Sequence, residues 1–183
     1  MEGDAVLREI EELSRKTFLP IIGPIKGKCL VNTIKKFNVK RVLEVGTLIG
    51  YSAILMAKNL PEDGKVVTVE INPESARAAQ ENVSEAGLAN KIEVHIGDAL
   101  TVIPGLDGAF DMVFLDATKS EYLDYLKLSE NKLKKHGAVF VDNVKISAHE
   151  MRNYLDYVRN SGKYESEYVD VGFDGVEIST KLF

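Results

Sequence analysis

The sequence predicts an α/β fold, a mostly parallel sheet with helices on both faces, and three observations carry that expectation. Apolar runs of strand length alternate with segments of helical period, the sign of successive βαβ units. Neither an internal repeat nor a low-complexity tract breaks the alternation. Beyond Gly162 the pattern changes to two strand-like runs about a tight turn, so the sheet is expected to end in an antiparallel hairpin. A chain of 183 residues suits one domain and can bury a substantial core. That domain is expected to span 1–183, with N-terminal helices and a lid over 1–38 and the sheet-bearing core over 39–183.

Taken in order, "DAVLREIEELSRKT" and "GKCLVNTIKKF" have helical period. Between them, "FLPIIGPIKG" sets apolar residues among Pro20, Gly23, Pro24 and Gly27, so it is expected as a stiff loop rather than a regular helix. Two readings fit it, a plain linker or a lid. Strands are expected at "RVLEV" (41–45), "KVVTVE" (65–70), "KIEVHI" (91–96), "DMVFLD" (111–116) and "AVFVDN" (138–143). Helix signals fall between them. Asn72 is placed as an N-cap, with Pro73 in the first turn, Gly87 as a stop, and Ala76, Ala79, Val83 and Ala86 on an inner face. Ser147 and Glu150 have capping-box spacing before a helix that would bury Met151, Leu155 and Val158 and stop near Gly162. The final runs, "YESEYVDV" and "VEISTKLF", flank the turn "GFDG".

Two strand-end patterns carry chemistry. In "VLEVGTLIGYSA", Gly46 follows the first strand and Gly50 precedes a helix, where glycines let a ligand approach the backbone closely. The spacing is G-x-x-x-G, with Leu48 in the position where a dinucleotide fingerprint needs glycine, and no lysine serves a phosphate loop. Glu44 precedes the first glycine, Glu70 closes the second strand where it can accept from ribose hydroxyls, and "GDA" (97–99) follows the third. An adenosine carrier without phosphates fits, and S-adenosylmethionine is one.

The other pattern is "VFLDATK" with "AVFVDN". Asp116 ends the fourth strand, and Asp142 with Asn143 ends the fifth. Neighbouring strands lie about 4.8 Å apart, so these groups can converge at the rim that holds the cofactor. Two carboxylates and an amide oxygen form a hard oxygen-only set suited to Mg²⁺. Lys119, one short loop beyond Asp116, can reach the same space as a general base for an acceptor hydroxyl.

The segments "VLEVGTLIGYSA", "VTVEINP", "FDMVFLDATKSEYL", "VFVDNV" and "DGVE" together resemble the metal-dependent catechol O-methyltransferases and the related caffeoyl-CoA type, in unbroken order from about Ile21 to Phe183. The resemblance implies a Rossmann-like class I methyltransferase fold of seven strands, the last antiparallel and inserted beside its predecessor. It implies Asp116, Asp142 and Asn143 as Mg²⁺ ligands and Lys119 as the base. Glu44, Gly46, Tyr51, Ser52, Glu70, Asp98 and Ala99 would surround S-adenosylmethionine, with Ile22, Ile71, Gly97 and Asp116 completing that set. Lys119, Asn143 and Glu177 would face the substrate, one of two adjacent hydroxyls on a small aromatic being methylated. The chain has no tryptophan, and Thr118 stands where the catechol enzymes carry one of their wall residues.

Composition narrows the alternatives. A formal net charge of -5 opposes nucleic-acid binding, which weakens a second reading as an RNA nucleoside O-methyltransferase of the same fold. The basic clusters "IKKF" and "KLKKHG" read as solvated helix faces. A third reading, a cofactor-binding protein without catalysis, is disfavoured by the joint presence of Asp116, Lys119, Asp142 and Asn143. The lone Cys29 cannot form an internal disulfide, and the acidic, amphipathic N-terminus resembles neither a secretion signal nor a membrane span. A cytoplasmic setting is therefore expected, with no membrane partner. The resemblance also implies a possible homodimer through the N-terminal helices.

Overall fold

The computed structural model describes residues 2–183. Two helices, α1 (Glu2–Lys16) and α2 (Gly23–Lys36), precede β1 (Arg41–Val45), α3 (Tyr51–Asn59), β2 (Lys65–Glu70), α4 (Pro73–Glu85), β3 (Ile92–Ile96) and α5 (Ala99–Gly105). The second half runs through β4 (Phe110–Leu115), a 3₁₀ turn (Lys119–Glu121), α6 (Tyr122–Ser129), β5 (Leu133–Val141), α7 (Arg152–Asn160), β6 (Tyr164–Asp170) and β7 (Gly175–Lys181). The strands form one sheet in the order β3-β2-β1-β4-β5-β7-β6. Strands β1 to β5 pair in parallel, and β7 is antiparallel to both neighbours, inserted between β5 and β6.

Both faces of the sheet are covered, so the central strands are mostly apolar, Glu44 of β1 and Thr68 of β2 excepted, and their side chains alternate between two cores. Val42, Met112, Phe114, Ala138 and Phe140 pack with Leu30, Ile34, Ile54 and Met56 on one side. Leu43, Val45, Val113, Leu115, Val139 and Val141 pack with Tyr122, Leu126, Tyr154 and Val158 on the other. The chain moves outward from β1 through β2 to β3, then returns to lay β4 on the opposite flank of β1. Loops leaving β1 and β4 therefore part in opposite directions, and a crevice opens beyond their carboxyl ends. Among the described residues no helix is long and apolar enough to cross a membrane.

Several local expectations change. α2 starts at Gly23, so only the first part of the connector is irregular; Pro24 sits in the first turn, where its missing N–H has no helical acceptor to lose. The capping box at Ser147 and Glu150 does not form. Residues 144–151 make consecutive turns, with Ser147 N–H donating to the Asn143 carbonyl and the Glu150 and Met151 N–H groups to the Ser147 carbonyl, and α7 begins only at Arg152. Met151, Leu155 and Val158 are buried as expected. In "KLKKHG" Lys134, Lys135 and His136 are exposed while Leu133 and Gly137 are buried, and the run lies at the start of β5 rather than on a helix, with His136 in a left-handed conformation at φ 62°. Asn72 accepts hydrogen bonds from the Glu74 and Ser75 N–H groups as the cap of α4.

Gly46 is required by two constraints together. Its φ is +99°, and a Cβ there would lie 2.2 Å from the Asp116 carbonyl oxygen. Gly172 has a similar φ of +92° but open space around it. Gly172→Ala should cost about 1–2 kcal/mol for the left-handed backbone alone. Gly46→Ala should cost about 1–3 kcal/mol beyond that for the steric conflict, read by urea unfolding. Equal costs at the two sites would show that β1 and β4 are not held this closely.

Candidate active site

The parallel ladders continue one residue past each strand and so fix a common rim. Gly46 N–H donates to the Val69 carbonyl, Gly97 to Glu70 and Asp116 to Val45, with a longer 3.4 Å contact from Asp142 to Leu115. Beyond this rim lies a cavity of about 440 Å³. Gly46, Glu70, Ile71, Gly97, Asp98 and Ala99 line one half, and Asp116, Lys119, Asp142 and Asn143 the other. Pro20 and Ile21, from the segment joining α1 to α2, also border it.

In the first half, Glu70 secures the glycine loop. Its Oε2 accepts from Leu48 N–H at 2.8 Å and its Oε1 from Asn72 N–H at 2.9 Å, leaving further lone pairs on both oxygens. Leu48 and Gly50 both have positive φ, which turns the loop tightly into α3. Asp98 caps α5 by accepting from Leu100 N–H at 2.8 Å.

Three expected cofactor residues stand slightly apart. Ile22, Tyr51 and Ser52 line a narrow cleft that shares Pro20, Ile21, Gly46, Leu48 and Asp116 with the main cavity, and the Tyr51 hydroxyl donates to Glu11 at 2.6 Å. Glu44 reaches neither space. It is fully buried beneath the loop, accepting from the Ser52 hydroxyl and, at 2.6 Å, from the Thr68 hydroxyl, which itself lies 2.5 Å from that of Thr47. The period-2 alternation of β1 explains this: Glu44 points into the same face as Val42, between the sheet and α3. Burial pushes its carboxyl up to about 7, assisted by the charges of Asp116 and Glu70 and opposed by the two hydroxyl donors.

The second half is dominated by paired charges. Lys119, in the 3₁₀ turn, places Nζ 3.0 Å from Asp116 Oδ1 and 5.4 Å above the Tyr122 ring. Asp142 is paired with Lys26, whose Nζ lies 2.6 Å from Oδ1 and 2.7 Å from Oδ2, and also 3.1 Å from Asp174 Oδ2. Burial raises the Asp142 carboxyl to about 6, with repulsion from Asp116 adding to it and Lys26 opposing. Asn143 has φ 62°; its N–H donates to Asp142 Oδ1 at 2.7 Å and its Nδ2 to Asp174 Oδ2 at 3.0 Å.

Sequence reasoning missed Lys26 and Asp174. Lys26 was hidden in a segment expected to be an irregular loop, and Asp174 in a hairpin turn where aspartate is ordinary. Their only signal was charge beside glycine and proline in otherwise apolar connectors. Glu177, expected to face the substrate, does not reach the cavity. It pairs in register with Val141 and shares that residue's face, where Arg159 of α7 holds it bidentately at 2.8 and 2.7 Å.

The donor set fits a small divalent cation. Asp116, Asp142 and Asn143 supply oxygen from the ends of two adjacent strands, the chemistry that Mg²⁺ or Mn²⁺ takes. Among the described residues no three His, Cys, Asp or Glu side chains are grouped so that they could hold a metal ion by themselves, so the third oxygen would be the asparagine amide.

The O-methyltransferase family model matches residues 2–153, most of the chain. The chain belongs to the O-methyltransferase family. Among other O-methyltransferases, the catechol O-methyltransferase of Mus musculus is 36% identical over 191 aligned positions, covering 96% of this chain and 71% of its own. The catechol O-methyltransferase of Niastella koreensis is 35% identical over 148, covering 78% of this chain and 67% of its own. The crystal structure of the O-methyltransferase TomG from Streptomyces achromogenes, in complex with SAM, superposes with a TM-score of 0.88 at 28% identity, covering 97% of this chain and 90% of that one.

The buried Glu44 of this O-methyltransferase gives its stability a pH dependence. Its folded-state carboxyl titrates near 7, above the ordinary value of 4.5, so its favourable contribution is complete below about 4.5 and is lost as pH rises through about 7. Glu44→Gln should therefore gain stability relative to the native chain between about pH 5 and about pH 8, read from urea midpoints. A difference that does not change with pH would show that Glu44 is ionised throughout.

Proposed function

We propose that this O-methyltransferase carries a methyl group from S-adenosylmethionine to one hydroxyl of a small aromatic bearing two adjacent hydroxyls, with a divalent cation held by Asp116, Asp142 and Asn143. One observation carries the reading: the glycine-loop half and the carboxylate half line a single cavity, so a carrier and an acceptor can meet there. The relatives named for catechol methylation support the acceptor class.

Gly46 keeps the loop side open to a bulky carrier because its missing Cβ leaves the Asp116 carbonyl undisturbed. Glu70, at the end of β2, would accept from ribose hydroxyls, and the Asp98 cap sets the first turn of α5 beside it. A bound divalent cation would lower the pKa of an acceptor hydroxyl and orient two adjacent oxygens. Lys119, as the free amine left once its ammonium has lost a proton to solvent and released Asp116 Oδ1, takes the departing hydroxyl proton. As the oxygen–carbon bond forms, the sulfur–carbon bond of the carrier breaks, leaving neutral S-adenosylhomocysteine. Pro20 and Ile21 border the cavity and would limit water there. The lone cysteine and the net charge of -5 fit a cytoplasmic enzyme acting on a small molecule rather than on RNA.

Transfer of labelled methyl from S-adenosylmethionine to a panel of ortho-dihydroxy aromatics tests this. Transfer should need Mg²⁺, stop with excess chelator, and fall by about 10²–10⁴-fold in kcat in Lys119→Ala. Transfer at full rate in chelator, or a Lys119→Ala enzyme as fast as the native one, would contradict the reading.

A further inference from the structure

Asp174 occupies a position that hairpin geometry does not explain. It lies in the turn between β6 and β7, yet it is fully buried and both of its oxygens are engaged. Oδ1 accepts from the Lys145 and Ile146 N–H groups at 3.2 and 3.3 Å. Oδ2 accepts from Asn143 Nδ2 at 3.0 Å and from Lys26 Nζ at 3.1 Å. The first pair ties the turn to the backbone just after Asn143, and a further bond from Val144 N–H to the Gly175 carbonyl reinforces that tie.

The second pair has a chemical consequence. A carboxylate only accepts hydrogen bonds, so the Asn143 amide must present its nitrogen to Asp174 and its oxygen elsewhere. Turning the amide over would set oxygen against oxygen in a buried place. Asn143 lines the cavity, so the oxygen is the group left for whatever occupies it. The same Oδ2 holds Lys26 against Asp142. Around this point three buried or half-buried carboxylates, Asp116, Asp142 and Asp174, share two ammonium groups, Lys26 and Lys119. A purely structural pair for Lys26 would not need Asp174, since Asp142 already meets that ammonium with both oxygens.

We propose that Asp174 is a positioning residue for the divalent-cation site, fixing the Asn143 amide with its oxygen toward the cavity and steadying Asp142 through Lys26. This rests on the metal-dependent reading above. Outer-sphere partners of this kind set affinity through the ligand they orient. Asp174 does not line the cavity, so it would touch neither substrate nor reacting atoms. Asp174→Asn keeps the volume and can still accept from the two backbone N–H groups, but it directs a donor at the Asn143 and Lys26 donors, which favours the turned-over amide.

The test measures Mn²⁺ binding to the full chain by electron paramagnetic resonance, together with S-adenosylhomocysteine binding in chelator. Asp174→Asn should weaken Mn²⁺ binding by about tenfold or more while S-adenosylhomocysteine affinity stays within about twofold. The exchanged pair Asn143→Asp with Asp174→Asn restores a donor facing an acceptor and keeps the cluster's charge. It should return Mn²⁺ affinity to within about threefold of the native chain. Native-like Mn²⁺ affinity in Asp174→Asn, or an exchanged pair no tighter than the single variant, would overturn the proposal. If the single variant fails to fold, the exchanged pair decides alone: rescue supports the proposal and weak binding overturns it. A native chain that takes up no Mn²⁺ would overturn the metal-dependent reading itself, and this inference with it.

Discussion

The parallel contact between β1 and β4 governs the site because it brings a glycine and an aspartate to one point and leaves no slack between them. Asp116 N–H extends the ladder onto the Val45 carbonyl, while the Asp116 carbonyl passes so close to Gly46 that no other residue fits there. One register therefore sets both the floor of the glycine loop and the place of the first carboxylate. The β4–β5 pairing adds the next strand, and Asp142 and Asn143 follow its last paired residue, Val141. Because helices bury both faces of the sheet, this carboxyl edge is where polar side chains can meet a ligand.

The electrostatics follow from that placement. Bringing Asp116 and Asp142 to adjacent strand ends in a half-dry cavity raises the Asp142 carboxyl, first through burial and then through repulsion. Removing ions from water costs several kcal/mol each unless they are paired, and here the pairing comes from outside the sheet. Lys119 arrives from the turn after β4, and Lys26 from the helix after the connector. Attaching Lys26 to Asp142 also links the bordering segment with Pro20 and Ile21 to the carboxylate half of the cavity. The protein thus holds its acidic edge with two lysine ammonium groups, and Asp174 shares one of them, Lys26, with Asp142.

Much of this was legible in the sequence because it rests on short-range rules. An apolar run ending in Asp116 or Asp142 announces a buried strand with a polar tip, and the spacing to Lys119 places the amine at the same tip. Asn72 with Pro73 likewise marked the start of α4. What escaped depended on long-range packing. Glu44 has the sequence position of a cofactor contact, but strand alternation turns it under the loop. Glu177 is claimed by Arg159 across the α7 face. Ser147 and Glu150 have capping spacing, yet the chain leaving the left-handed Asn143 spends those residues in successive turns. Lys26 and Asp174, separated by 148 positions, share no local pattern at all.

The most direct measurement is a crystal structure of the chain grown with Mn²⁺ and S-adenosylhomocysteine, with the metal located by its anomalous scattering. The account requires one strong peak about 2 Å from oxygens of Asp116, Asp142 and Asn143, with the cofactor product lying against Gly46 and Glu70. A peak elsewhere, or carboxylates still closed on Lys26 and Lys119 with no metal between them, would contradict it.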